Sequence, residues 1–477
     1  LCSHRSIRAF AAAAAQSGVP ALCFDYAGTG DSEDLPPQAD QLEAWTDDVI
    51  AAVHELQRRT GVERVCLLGF RLGALLAARA AARCEAADAL IAVAPLLSGA
   101  RYLRELRMTV LAQAAKRAAT GVAHDAPASA ADSATEELEV NGYVLSAATT
   151  AALAQPDLMF ARAPVSELLL LDRDDVPAGE AWAKAMSRLG VHSDYRVLPG
   201  FAEMMMTTAV YTVVPEATVG AARDWLLRLR GARPVRPAAN GANAALRMDV
   251  EQASPSMPLV LGAGAHAPRA GLVEHALLFG SEPVLFGVVT EPRDGRARAG
   301  AIILLNDGAN PHIGSNRMAV TLARRWACEG YAVLRMDLAG LGVSATRAGC
   351  PANQVFPAAA MQDIGAAIAL MRSRYGACPI TLGGLCSGAY HAFRAAVEGL
   401  AVTRVILVNQ RDFFWRADLN SNYLRYELAI SAPGIYRGRA LSLASWKKLL
   451  RGQAQVGRIA GIFARRARLA LGSALRE

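Results

Sequence analysis

The sequence predicts an α/β protein in which one strand–helix plan is used twice in tandem. Each copy is expected to have a mostly parallel sheet, and the first to carry a helical cap. Three observations predict this. Short apolar runs alternate with amphipathic helical stretches along most of the chain, the pattern of parallel strands covered on both faces. The segment Asp25-Tyr26-Ala27-Gly28-Thr29-Gly30-Asp31-Ser32 recurs as Asp337-Leu338-Ala339-Gly340-Leu341-Gly342-Val343-Ser344, 312 residues later. The glycine-framed turns Gly69-Phe70-Arg71-Leu72-Gly73 and Gly384-Leu385-Cys386-Ser387-Gly388 lie 315 residues apart. Offsets this similar, with the elements in the same order, read as a duplicated domain.

In the first copy, residues 6–17 read as helix, Val19–Asp25 as a short strand and Tyr26–Ser32 as a glycine-rich loop. Residues 41–58 place Trp45, Val49, Val53 and Leu56 on one helical face. Val65–Leu68 is a strand running into the first glycine-framed turn, followed by a helix over 74–82 and a strand over 90–94. Residues 100–160 break the rhythm and read as the cap. The rhythm resumes with strands at Val165–Leu171 and Tyr195–Leu198 and closes with a helix near 216–229.

The Pro-, Ala-, Gly- and Asn-rich stretch from 231 opens a linker taken to 280, which sets the domains at 1–230 and 281–477. The second copy is expected to open on an antiparallel hairpin around Val284–Thr290. Strands follow at Ala301–Asn306, Tyr331–Met336, Ile380–Leu385 and Val405–Asn409, with helices between them. No further strand pair is legible after Asn409, so this copy looks incomplete at its C-terminal end. The tail reads as a basic amphipathic helix through Trp446, Lys447, Lys448, Arg451, Arg458, Arg465, Arg466 and Arg468. The chain starts at Leu1, as a processed protein or a piece of a longer one would.

With 477 residues, 53% of them hydrophobic, the chain can bury substantial cores. A net charge of +7 is too diffuse to suggest a nucleic-acid partner. Eight cysteines spread singly, without C-x-x-C, suggest a reduced, cytoplasmic protein with neither a disulfide framework nor a zinc site. No run of eighteen apolar residues suggests a membrane span. No cofactor or metal is expected.

These motifs resemble the α/β-hydrolase fold, in its serine aminopeptidase-like branch and in the hydrolases associated with exosortase clusters. The signatures are Cys23–Ser32, Leu67–Gly73, Arg173-Asp174-Asp175-Val176-Pro177 and Gly384–Gly388. The resemblance implies a nucleophile on the elbow, an acid after a late strand and a histidine after the last one. Its cysteine variants resemble thioester-using hydrolases and acyltransferases.

At the second elbow, Cys386 stands between strand and helix, near the positive end of the helix, which favours the thiolate. The expectation is a cysteine-dependent acyl ester or thioester hydrolase, or an acyltransferase, working through an acyl-enzyme. The Ser387 backbone and the loop Asp307-Gly308 would supply the oxyanion donors. His312 is the candidate base and Asp412 the candidate acid, while His391 points down the elbow helix and reads as structural.

At the first elbow, Arg71 cannot act as a nucleophile. Asp174 or Asp175 occupies the acid position, and Gly200–Met206 contains no histidine. The first copy is therefore expected to be non-catalytic, with Arg71 either binding an anionic ligand or pairing with Asp174 or Asp175. The expected partners are an acyl ester or thioester substrate and, as a candidate, an acyl carrier protein; self-association is left open. The alternative reading is a non-catalytic scaffold or carrier-binding homologue in a biosynthetic pathway.

Overall fold

The computed structural model describes residues 3–96, 98–119, 136–155, 163–231, 259–261, 271–294, 299–410 and 413. Asp412 and the basic tail lie outside the described residues. Both sheets belong to one compact unit, Leu1–Arg411.

The first half runs α1 (His4–Gln16), α2 (Gln41–Thr60), β1 (Val65–Phe70), α3 (Leu72–Ala81), β2 (Ala87–Val93) and α4 (Gly99–Ala119). It continues with a small hairpin, β3 (Leu138–Val140) and β4 (Tyr143–Leu145), and then α5 (Ala147–Ala154). It ends with β5 (Glu167–Arg173), α6 (Glu180–Arg188), β6 (His192–Leu198), α7 (Phe201–Met205) and α8 (Glu216–Gly231). Its main sheet has the order β1-β2-β5-β6, all parallel. The uninterrupted run Leu168–Leu171 is apolar because both faces of β5 are covered. Leu168 and Leu170 join a core with α2, α3 and α6, while Leu169 and Leu171 pack on the other side with α1, α7 and α8.

Val19–Asp25 does not form the expected strand. Its counterpart in the second half is a buried inner strand, whereas Cys23, Phe24 and Asp25 are exposed and pair with no strand among the described residues. Apolar character alone does not make a strand; it needs a hydrogen-bonding neighbour.

The second half comprises β7 (Leu259–Leu261), β8 (Leu272–Phe279), β9 (Leu285–Pro292), β10 (Gly300–Leu304), α9 (Met318–Cys328) and β11 (Tyr331–Met336). It ends with α10 (Ala360–Tyr375), β12 (Ile380–Leu385), α11 (Ser387–Val397) and β13 (Arg404–Val408). The strand order is β13-β12-β10-β11-β9-β8-β7. This sheet is mixed, which corrects the expectation of mostly parallel strands. Pairing is parallel from β11 through β10 and β12 to β13, where helices make the crossovers. It is antiparallel from β11 through β9 and β8 to β7, with a short turn joining β8 to β9. Two of these strands, β7 and β8, fall inside the range expected to be linker. Along β10, Ala301 and Ile303 face the α10 core, and Ile302 and Leu304 face α9. The architecture is that of two α/β-hydrolase-like regions in tandem.

The duplication is visible in atomic detail. Ser32 Oγ donates to the Asp25 carbonyl at 2.6 Å, and Ser344 Oγ to the Asp337 carbonyl at 2.6 Å. Gly30 and Gly342 have φ of 50° and 47°. A Cβ at either would collide with the carboxylate of Asp25 or Asp337 respectively. Among the described residues, no helix is long and apolar enough to cross a membrane.

Candidate functional site

The two elbows share one backbone geometry. Arg71 sits at φ 51°, ψ −115° and Cys386 at φ 57°, ψ −110°. Both are left-handed positions that cost a side-chain-bearing residue about 1–3 kcal/mol. The Arg71 N–H donates to the Val93 carbonyl at 3.0 Å, and the Cys386 N–H to the Val408 carbonyl at 2.9 Å. Each turn closes so tightly that a Cβ on Gly69 or Gly384 would lie 2.3 Å from the backbone of Gly73 or Gly388.

What surrounds each apex differs from expectation. Arg71 pairs with Glu105 on α4, not with Asp174 or Asp175. Asp175 is held below the usual carboxylate range by its bidentate bond from Arg173, with both contacts at 2.5 Å. Asp174 is exposed and has no hydrogen bond among the described residues. The buried acid at the end of β5 is Asp172, which accepts from the Ala178 and Gly179 N–H groups and the Tyr195 hydroxyl.

Cys386 is exposed, and among the described residues its thiol has no hydrogen-bond partner. Ser387 is buried, and its Oγ accepts the Gly308 N–H at 2.7 Å. One expected oxyanion donor is thus already engaged. The Asp307 carboxylate is taken by Ser315 and Asn310. His391 lies buried in the elbow helix, with Nε2 3.0 Å from the Val355 carbonyl and its ring against Phe356 and Tyr390. Burial pushes its pKa down to about 4.

His312 is not at the Cys386 thiol. Its Nδ1 meets Asp337 at 2.9 Å and its Nε2 meets Asp31 at 2.7 Å. Burial alone would lower its pKa, but the two carboxylates outweigh it and raise it to about 10. The imidazolium therefore ties a turn of the first half to a strand end of the second. Arg335, fully buried, joins Asp31 to Glu274. Arg317 donates to the carbonyls of Gly28, Gly30 and Ser32. Arg8 reciprocates from α1 onto the carbonyls of Gly342 and Val343. Sequence reasoning missed Asp31, Arg335, Glu274 and Glu105. Only Asp31 carried a signal, its place in the repeated loop. Among the described residues, no group of three His, Cys, Asp or Glu is placed to hold a metal.

A cavity of about 200 Å³ lies at the carboxyl ends of β10, β12 and β13, walled by α9. Its lining includes Gly384 and Leu385, immediately before the elbow apex, but not Cys386.

Comparisons with known proteins bear on this geometry. A family model described as "Serine aminopeptidase, S33" matches residues 3–161. A search of curated proteins found no match to this chain. Among solved structures, Est1E from Butyrivibrio proteoclasticus with bound ferulic acid is 19% identical, covering 48% of this chain and 84% of that one, with a TM-score of 0.35. The Pyrococcus furiosus esterase PF2001 is 17% identical, covering 28% of this chain and 47% of that one, with a TM-score of 0.24. The chain thus matches about half the length of that esterase. The fold assignment rests on strand order and elbow geometry, not on these likenesses.

The expected cysteine nucleophile is therefore corrected. The matching family model is of serine type, and it falls on the half that lacks Cys386. At Cys386 itself the candidate base is sequestered between two carboxylates, so neither a cysteine triad nor an acyl-enzyme mechanism is indicated.

Proposed function

We propose that this chain is a hydrolase-fold binding protein that holds a small ester- or acyl-type molecule without forming a covalent bond to it. One observation carries the reading: His312, the base expected for the second elbow, is locked as a charged bridge between Asp31 and Asp337. An imidazolium with both nitrogens occupied cannot take a proton from a nucleophile. The ion-paired Arg71 at the other elbow agrees with this reading. The elbows then serve as rigid strand-to-helix corners that shape the crevice at the strand ends, where α/β sheets commonly bind ligands.

A second reading, serine-type ester hydrolysis, is favoured by the family model over residues 3–161. An alkyl fluorophosphonate separates the two. The binding reading expects no serine adduct by intact mass and no p-nitrophenyl ester turnover above the buffer rate. A fluorophosphonate-labelled serine, located by peptide mapping, together with turnover that the probe abolishes, would establish the second reading and remove the first.

A further inference from the structure

We infer that the cavity beside α9 binds a neutral aliphatic chain, with Trp326 as one wall. This rests on the non-covalent reading for its biological meaning, but its geometry stands independently. The apolar lining comes from two sides: Met318, Leu322 and Trp326 on α9 face Leu304, Ile406 and Val408 on the sheet. The space exists because β12 carries Gly383 between Leu304 and Ile406. A Cβ there would lie 3.1 Å from Leu304 Cδ2 and 3.6 Å from Ile406 Cβ.

The polar residues at the rim are already engaged. The Asn306 amide donates to the Asn310 carbonyl and to Asp337, and its oxygen accepts the Leu338 N–H. Both His312 nitrogens are occupied. Asp307 already accepts from Ser315 and Asn310. Among the described residues, no buried side-chain donor without a partner belongs to the lining, so none calls for a polar ligand. The Asp307 carboxylate, buried at the rim, repels an anionic head group. The charge of His312 does not attract one, because Asp31 and Asp337 already answer it.

A dry cavity of about 150 Å³ accepts benzene. At about 200 Å³, this one accommodates roughly six to eight carbons. The class is thus an uncharged alkyl group, such as the chain of an alcohol or ester, and not a free fatty-acid anion.

The test titrates the whole chain with 1-octanol and with octanoate at neutral pH, reading tryptophan emission and calorimetric heat. Saturable 1-octanol binding is expected, with an emission change that vanishes in Trp326→Phe and octanoate at least tenfold weaker. Leu322→Phe and Ile406→Phe fill the cavity from opposite walls. Whichever of them keeps the wild-type circular dichroism should bind 1-octanol at least tenfold more weakly. Non-saturable heats, equal binding of octanoate, or undiminished binding by a folded filling variant would overturn the inference. Serine labelling by a fluorophosphonate would remove the function proposed above while leaving this site standing.

Discussion

The His312 imidazole, buried in the second half, lies 2.7 Å from the Asp31 carboxylate of the first. The other ring nitrogen meets Asp337 at 2.9 Å, so one cation joins the equivalent turns of the two copies. Removing one partner of a buried ionic group costs about 3–5 kcal/mol, because the charges left behind are uncompensated. His312→Gln should destabilise the protein by about that much in urea unfolding. The pH dependence has a defined sign. A histidine raised from 6.5 to about 10 stabilises fully below pH about 6.5, and that stability is lost as pH rises towards 10. The carboxylates of Asp31 and Asp337 are both depressed, so their share fades only below pH about 4. The gap between wild type and His312→Gln should therefore narrow steadily from pH 6.5 to 10. A gap that stays constant over this range would show that the imidazole is not the charged tie.

His391 should show the opposite slope. Its folded pKa is lowered to about 4 from 6.5, so the fold favours the neutral ring. Stability from this site is present above pH about 6.5 and is lost as pH falls through 4. In His391→Phe the acid-side decline between pH 6.5 and 4 should be shallower than in wild type, as read by denaturant midpoints. An unchanged decline would place the titration elsewhere.

The repeated loops should respond alike to substitution. Gly30→Ala and Gly342→Ala each force a positive φ and drive a Cβ into the carboxylate of Asp25 or Asp337. Each should cost about 2 kcal/mol or more, from backbone strain plus displacement of the carboxylate. Thermal unfolding of the two single variants measures this, and a neutral result at either would break the structural equivalence.

The elbows should prove structural rather than chemical. Cys386→Gly relieves a strained φ, at the smaller entropic cost of glycine, and should stabilise by about 1 kcal/mol. Cys386→Ala should leave any p-nitrophenyl ester turnover unchanged. Arg71→Ser places a hydroxyl at the first apex, while the segment Gly200–Met206 supplies no histidine, so it should gain no turnover. Since Glu105 and Arg71 are both partly exposed, losing their pair should cost less than about 1 kcal/mol. Turnover appearing in Arg71→Ser would reveal a base near that apex.

Much of this protein was legible in the chain itself. The recurrence of Asp25–Ser32 at Asp337–Ser344 and of the glycine-framed turns announced the duplication, because a tight turn restricts local residue choice. The strands β2, β5, β10, β11 and β12 were readable because inner strands of a sheet are apolar on both faces. Arg71 excluded a nucleophile at the first elbow by chemistry alone. Tertiary structure decided the rest. Only pairing could show that Val19–Asp25 forms no strand while its twin Tyr331–Met336 does, or that β7 and β8 turn the second sheet antiparallel. Only packing could show that His312 serves Asp31, 281 residues away, and not Cys386. A side chain's partner is set by the field of charges that folding brings around it. Spacing along the chain carries no record of a carboxylate arriving from the other copy.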